Sequence, residues 1–467
     1  MVRRAVIAVV GITLSALLGS AASSDAGTTP AISPAASALP VPGAVIPTRP
    51  AVVLPALDEA APTPASGLGG HLDGVLAAAA LGPSVAAEVV DVTSGASLFG
   101  QSPTVTAVPA STVKILTATA VLSVRSGAER LATTVVQGAA GEIVLVGGGD
   151  VLLAPGRGDP SAVIGRAGLD DLAAATATAL RAKGTTSVAL GLDDTLFAGP
   201  TVSPLWQPGD TTGGFVAPVA ALELDSGNAS PGRRSPAGHP FPRVSDPGMA
   251  AARAFVVRLR AHGVTVATAP RRTSAPRDGE VLAQVFSAPL ARLVEQALED
   301  SDNTVAEALA RLVAISGNRE PTFAGGGRAV LDRLALLGID VTGHTVAGGS
   351  GMGRGYAVSA RTLVSALALA ASPEHPELRP VLSGLPLAGV SGTLAERFDA
   401  PAGRAAIGVV RAKTGTLTGV SSLAGIVVDA DGRQLAFAVL ADKVPSTDPA
   451  RTALDQVAAT LARCGCP

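Results

Sequence analysis

The sequence predicts an α/β (α+β) protein: an antiparallel sheet flanked by helices, an all-helical lobe beside it, and small α/β subdomains inserted early in the chain. Three observations carry this. Strand-like runs cluster at the two ends of the ordered region, near 85–99 and 409–440. Amphipathic helical segments fill much of 290–370. Between about 131 and 288, strands and helices alternate at short spacing. At 467 residues the chain also exceeds what one ordinary core accommodates, so more than one lobe is expected.

Arg3 and Arg4 precede an apolar run at 5–18 and the small residues Gly19-Ser20-Ala21-Ala22, which predicts a signal peptide over 1–22. The alternative is an uncleaved N-terminal anchor, although the run is short for a membrane span. Either places the body of the protein outside the cytoplasm. Residues 23–67 hold nine prolines among Ala, Ser and Thr with no apolar periodicity, the composition of a disordered or extended tether.

Order is expected from Leu68. A helix is predicted over 71–81, then a hairpin pairing 85–92 with 97–99 around Thr93-Ser94-Gly95. Pro109 interrupts the chain before a helix in which Val113, Leu116 and Ala120 share a face. Runs at 133–136 and 143–146 predict strands; the glycine cluster Gly147-Gly148-Gly149 after the second has the spacing of a turn, not of a dinucleotide loop. Helix 169–183 and strand 187–192 follow, then helix 247–261 and strand 264–267, with Gly184 and Gly263 closing the helices. The Gly/Pro/Ser-rich stretch 200–247, which holds Trp206, predicts loop. Helices are expected at 290–298, 304–315 and 361–370, antiparallel strands at 409–414, 423–428 and 435–440, and a terminal helix at 452–463 against one shared sheet. The expected division is one domain from 68–130 and 289–467, interrupted by an insertion at 131–288.

Composition narrows the chemistry. Net charge is −2, so nothing points to nucleic acid. Only four lysines occur, Lys114, Lys183, Lys413 and Lys443, against 35 basic residues in all. In a chain that otherwise uses arginine, a lysine marks a place where arginine cannot serve, because a buried lysine can lose its proton and arginine cannot. The five histidines (71, 239, 262, 344, 375) lack metal-ligand spacing, so no metal or cofactor is expected. Cys464 and Cys466 lie two apart, awkward for a mutual disulfide, and are assigned no catalytic role.

Three short motifs carry the chemistry: Ser111-Thr-Val-Lys114, Ser301-Asp302-Asn303 and Lys413-Thr414-Gly415. Residues three apart on a helix are neighbours, so the Ser111 hydroxyl and Lys114 amine can face one point. A serine needs a base to become a nucleophile, and Lys114 can act as one once burial or a nearby cation such as Lys413 lowers its pKa. Ser301 can relay a proton to a leaving amine. Asn303 can hold a substrate carbonyl or Lys114. Lys413 and Thr414 suit a substrate carboxylate, and Gly415 admits an extended peptide to a strand edge. The N–H groups of Ser111 and Thr416 are the expected oxyanion hole. Singly, each motif reads more naturally as a helix cap, a capping turn or a solvated strand end; the three together, in this order, do not.

On these motifs the chain resembles the D-alanyl-D-alanine carboxypeptidase/endopeptidase family of low-molecular-mass class C penicillin-binding proteins, peptidase family S13. Similar stretches include Leu145-Val-Gly-Gly-Gly-Asp150, Ser301-Asp-Asn-Thr-Val-Ala-Glu307, Gly349-Ser-Gly-Met-Gly-Arg354 and Gly392-Thr-Leu394. The interval between Ser111 and Ser301 matches the family's inserted region, and a compact β-lactamase has no room for it. The chain departs from the family pattern at Ala347-Gly348, where an aspartate is usual, and at Met352, where leucine is common. The resemblance implies a β-lactamase/transpeptidase-like fold, an acyl-enzyme on Ser111, peptidoglycan stem peptides as substrate and β-lactams as covalent inhibitors. Two rivals remain open. A serine β-lactamase would need a deacylating glutamate, for which Glu307 and Glu320 are the candidates; a catalytically silent wall-binding scaffold would keep the fold alone.

Overall fold

The computed structural model of the protein describes residues 68–233 and 241–464; the expected signal peptide, the tether and Cys466 lie outside them. The apolar runs near the C-terminus become the centre of a five-stranded antiparallel sheet. Val410–Leu417, Val420–Val428 and Gln434–Asp442 are consecutive neighbours, followed by Ser84–Asp91 and Ser97–Gln101. The two ends of the chain meet here, with Val85 opposite Ala441 and Val89 opposite Phe437.

Both faces of this sheet are covered, so alternate residues of each strand feed different cores. Leu423, Val427, Phe437 and Val439 pack with the helices Leu68–Leu76 and Thr447–Arg463. Ala424, Ile426, Ala438 and Leu440 face the helical lobe. That double burial is why the strands read as nearly unbroken apolar runs.

The lobe is built round the helix Val113–Val124, which is buried on every side from Val113 to Leu122. Leu290–Glu299, Asn303–Ser316, Phe323–Leu336 and Ala360–Ala371 surround it. Phe323–Leu336 is not among the helices predicted from sequence. The predicted helix at 71–81 is instead Leu68–Leu76 followed by a short 3-10 turn at Ala79–Leu81.

Between Arg130 and Pro289 the chain forms a second sheet, ordered Arg271–Arg272, Ser187–Asp193, Glu142–Val146, Arg130–Gln137, Val281–Pro289, with Thr265–Val266 also on Ser187–Asp193. The helices Leu169–Ala182 and Pro247–Ala261 fill its own core, which includes Leu172, Leu190 and Phe255. The first and last strands pair with each other, Arg130 opposite Pro289, so the chain leaves and rejoins the lobe at one place. This segment also sends Val151, Leu152, Phe197, Trp206, Val216 and Val219 into the core of the lobe. Within the stretch predicted as loop, Leu222–Leu224 pairs in parallel with Asp150–Leu153.

Candidate active site

Pro109 and Ala110 make a sharp bend, with Ala110 at φ +49°. A 3-10 turn, Ala110–Thr112, then leads into the helix Val113–Val124. Ser111 is half-buried on the turn, and Lys114 lies in the first turn of the helix, 1% exposed. The bend is pinned at the Pro109 carbonyl, which accepts 2.7 Å bonds from Thr112 Oγ1 and from Ser422 Oγ on the main sheet.

Lys114 Nζ is the hub. It hydrogen-bonds Ser111 Oγ at 2.9 Å, Asn303 Oδ1 at 2.6 Å and the Ser350 carbonyl at 2.7 Å. Burial lowers its pKa to about 7, against the opposing charges of Glu307 and Asp302. Near neutral pH the amine can therefore surrender its proton and take one from Ser111. The sequence reading offered the Lys413 charge as one cause; in the structure desolvation is the dominant one.

Ser301 occupies the bend between Leu290–Glu299 and Asn303–Ser316, at φ +58°. This left-handed conformation is uncommon for a residue with a Cβ and is held by its surroundings. Asp302 caps the following helix through Val305 N at 3.0 Å. Asn303, on the first residue of that helix, donates from Nδ2 to the Phe215 carbonyl at 2.9 Å while its Oδ1 meets Lys114. One motif thus both caps a helix and delivers an amide to the lysine.

Lys413 lies on the outermost strand of the main sheet. It is fully buried, with Nζ donating to the Thr414 carbonyl at 2.9 Å. Burial, and then the neighbouring Lys114 charge, hold its pKa well below the ordinary lysine value. Thr414 and Thr416 are the side chains of this motif that reach the surface. Thr414 Oγ1 lies 3.0 Å from Thr393 Oγ1. The early part of this strand is covered, because Ala388 N donates to Val410 O and Ala412 N to Pro386 O. Residues 414 and 416 share that outward parity, so the Thr416 N–H points to the edge left open beside Ser111. At Gly415 a Cβ would sit 2.1 Å from Ser422 Oγ and 2.6 Å from Pro109 O. Its bare Cα lets the strand press against the Ser111 bend.

Two contributions were not assigned from the sequence, the anchoring role of Glu307 and the Ser350 carbonyl. Glu307, buried on the Asn303 helix, accepts from Gly349 N at 2.8 Å, Ser350 N at 3.0 Å and Ser350 Oγ. This grip places the Ser350 carbonyl on Lys114, and Thr117 Oγ1 adds a 2.9 Å bond to Gly349 O. The resemblance stretch at 349–354 marked the loop, but a backbone carbonyl leaves no residue-type signal. Glu307 is thereby fully occupied as a structural anchor, unlike the free base a β-lactamase would require.

A serine on a buried lysine, an amide completing the contact, and a lysine-bearing edge strand beside a helical lobe define a serine-type penicillin-binding enzyme. Comparison with known proteins names the group within that class. Residues 68–241 and 237–464 match the D-Ala-D-Ala carboxypeptidase 3 (S13) family. The chain is 38% identical to carboxypeptidase DacB of Mycolicibacterium smegmatis, covering 99% of this chain and 98% of that one. It is 30% identical to the D-alanyl-D-alanine carboxypeptidase of an Actinomadura strain, over 85% of each. The fold matches the crystal structure of penicillin binding protein 4 (dacB) from Haemophilus influenzae with a TM-score of 0.67 at 24% identity, covering 84% of this chain and 98% of that one. The chain belongs to the D-Ala-D-Ala carboxypeptidase 3 (S13) family, a group of serine-type carboxypeptidases.

Proposed function

We propose that the protein removes the terminal D-Ala from peptidoglycan stem peptides outside the cytoplasm, through an acyl-enzyme on Ser111. The observation that carries this is Lys114 Nζ, buried, with its pKa lowered to about 7 and in contact with Ser111 Oγ. Neutral Lys114 takes the Ser111 proton as Oγ attacks the carbonyl of the penultimate D-Ala. The oxyanion forms against the N–H groups of Ser111 and Thr416. As the C–N bond breaks, the proton passes from Lys114 through Ser301 to the leaving amine, and free D-Ala departs. Water then hydrolyses the ester. Asn303 holds Lys114 and the acyl chain, Lys413 sets its charge beside Lys114, which favours the neutral amine, and Thr414 with Thr416 receives the terminal carboxylate at the open strand edge.

A β-lactam presents the same carbonyl beside the same carboxylate, so it acylates Ser111 covalently. Cross-bridge cleavage uses the same residues. The loop at 200–215, whose Phe215 carbonyl already meets Asn303, forms the wall nearest the third residue of the stem peptide. The region 131–288 is proposed as an insertion within the catalytic domain, and residues 1–22 as its export signal.

Labelled penicillin should attach to the wild-type protein and not to Ser111→Ala, and release of D-Ala from a pentapeptide should stop in the same variant. Equal labelling of the alanine variant would overturn the nucleophile assignment.

A further inference from the structure

The amide of Asn303 is planar, and its two ends are not interchangeable. Its oxygen must face Lys114, because turning the NH2 end there would set donor against donor. What fixes the choice is the other end, where Nδ2 donates to the Phe215 carbonyl at 2.9 Å. Two more bonds join the same stretch of chain to the same helix start. Ser226 Oγ donates to Asp302 Oδ2 at 2.7 Å, and Ala217 N donates to Thr304 Oγ1 at 3.0 Å. Asp302, Asn303 and Thr304 are therefore each held by residues 215–226, a segment far away in sequence.

That segment is itself under constraint. Asp225, Ser226 and Gly227 are all left-handed, at φ +48°, +54° and +69°. Two of them carry a Cβ, so the conformation must be imposed from outside. A Cβ on Gly227 would lie 2.5 Å from the Ala217 side chain, so the two strands of the segment touch there. Asn228 Nδ2 and Gly232 N hold the Asp225 carboxylate, and Arg243 holds the backbone. Its Nε donates to the Gly214 carbonyl at 3.0 Å, and its Nη1 to the Ser226 carbonyl at 3.0 Å and the Asp225 carbonyl at 3.5 Å. One guanidinium thus spans both limbs of the loop, using the fixed fork that a lysine lacks.

We propose that Arg243 is a positioning residue for the reaction: it ties Gly214 to Ser226, and the knot so formed turns the Asn303 amide toward Lys114. This rests on the roles given above to Lys114 and Asn303. Arg243 touches neither, nor any reacting atom. Its charge faces buried Glu223, while the charged groups around Lys114 are Asp302, Glu307 and Lys413.

The test compares full-length Arg243→Met, Arg243→Lys, Ser226→Ala, Ser226→Asn and Asn303→Ala with wild type, using D-Ala release and penicillin acylation across pH. Arg243→Met should lower kcat about 10- to 100-fold, the scale of a misplaced catalytic group, with KM changed less than about threefold. The pH profile separates this from a general loss of structure. Asn303 Oδ1 stabilises the charged form of Lys114, so releasing it lowers the Lys114 pKa and moves the acid limb to lower pH. Ser226→Ala should show the same pattern more weakly. Ser226→Asn keeps a donor and tolerates the left-handed backbone, so it should restore most of the rate, and Arg243→Lys should stay impaired. Folded Arg243→Met with wild-type kcat and pH profile would sink the proposal; if Arg243→Met does not fold, a wild-type profile in Ser226→Ala does so. If Asn303→Ala itself behaves as wild type, the reading of Asn303 fails instead.

Discussion

At the scale of single residues, the site is a contest over one proton. Desolvation drives Lys114 toward its neutral form, and the charges of Glu307 and Asp302 hold the proton on. The neutral amine is the base, so acylation by penicillin should rise with pH through about 7, as Lys114 deprotonates. Glu307→Gln removes one of the opposing charges. The acid limb should then move below 7, at a stability cost of roughly 1–3 kcal/mol for the weakened hold on Gly349 and Ser350. An acid limb that stays put in a folded Glu307→Gln protein would show that Glu307 only anchors the loop. Ser111, Lys114 and Asn303 were legible in the sequence because each is a reactive side chain in a recognisable order. The anchoring role of Glu307 and the Ser350 carbonyl were not, because the carbonyl is backbone and the glutamate's partners are set by tertiary packing. Lys413 was legible as a site residue but not as a buried one, since burial depends on what the strand packs against.

Among the elements, the decisive contact is between the Lys413 strand and the Ser111 bend. Gly415→Ala should force the two apart, because the added methyl meets Ser422 Oγ and the Pro109 carbonyl together. We expect acylation to fall at least about 100-fold and stability to drop by about 1–3 kcal/mol. Calorimetry and labelling on one sample check both, and near-normal labelling would mean the bend can yield. The strands of the main sheet were legible from their apolar runs, and the helix Pro247–Ala261 from its proline start and glycine stop. Phe323–Leu336 was hidden by Gly325-Gly326-Gly327, residues that normally argue against a helix. They are there because the helix lies against its neighbours: a Cβ on Gly327 would be 1.8 Å from the Val346 carbonyl, and one on Gly326 3.1 Å from Ala310. Val281–Pro289 escaped because its pairing with Arg130–Gln137 shifts register twice, which blurs the two-residue period.

Over the whole molecule, the segment between Arg130 and Pro289 has a core of its own yet is not a detachable ornament. Its side chains Phe197, Trp206 and Val216 belong to the core of the lobe, and Trp206 meets Phe323 edge-on with ring centroids 5.2 Å apart. Trp206 is the sole tryptophan, so its fluorescence reports this junction alone. We predict that the fluorescence midpoint on heating coincides with the far-UV circular dichroism midpoint. Separate midpoints would mean that the segment unlocks before the body melts. The alternation of strand and helix over 131–288 made the segment visible in the sequence. Its grip on the lobe was invisible, because it runs through the stretch that composition assigns to loop.

The burial of Lys114 also has a consequence for reagents that never resemble a substrate. A lysine ordinarily becomes a nucleophile only in alkaline solution; Lys183 and Lys443 are exposed, and Lys183 pairs with Glu280. Lys114 reaches its neutral form near pH 7 and lies one hydrogen bond behind the half-exposed Ser111. A small, neutral electrophile such as isocyanic acid should therefore carbamylate Lys114 ahead of the surface amines at pH 7, and penicillin labelling should disappear in step. Peptide mapping that finds Lys183 or Lys443 modified first would contradict this. In a chain that uses arginine for nearly every basic residue, the most chemically selective amine would then be one almost hidden from outside.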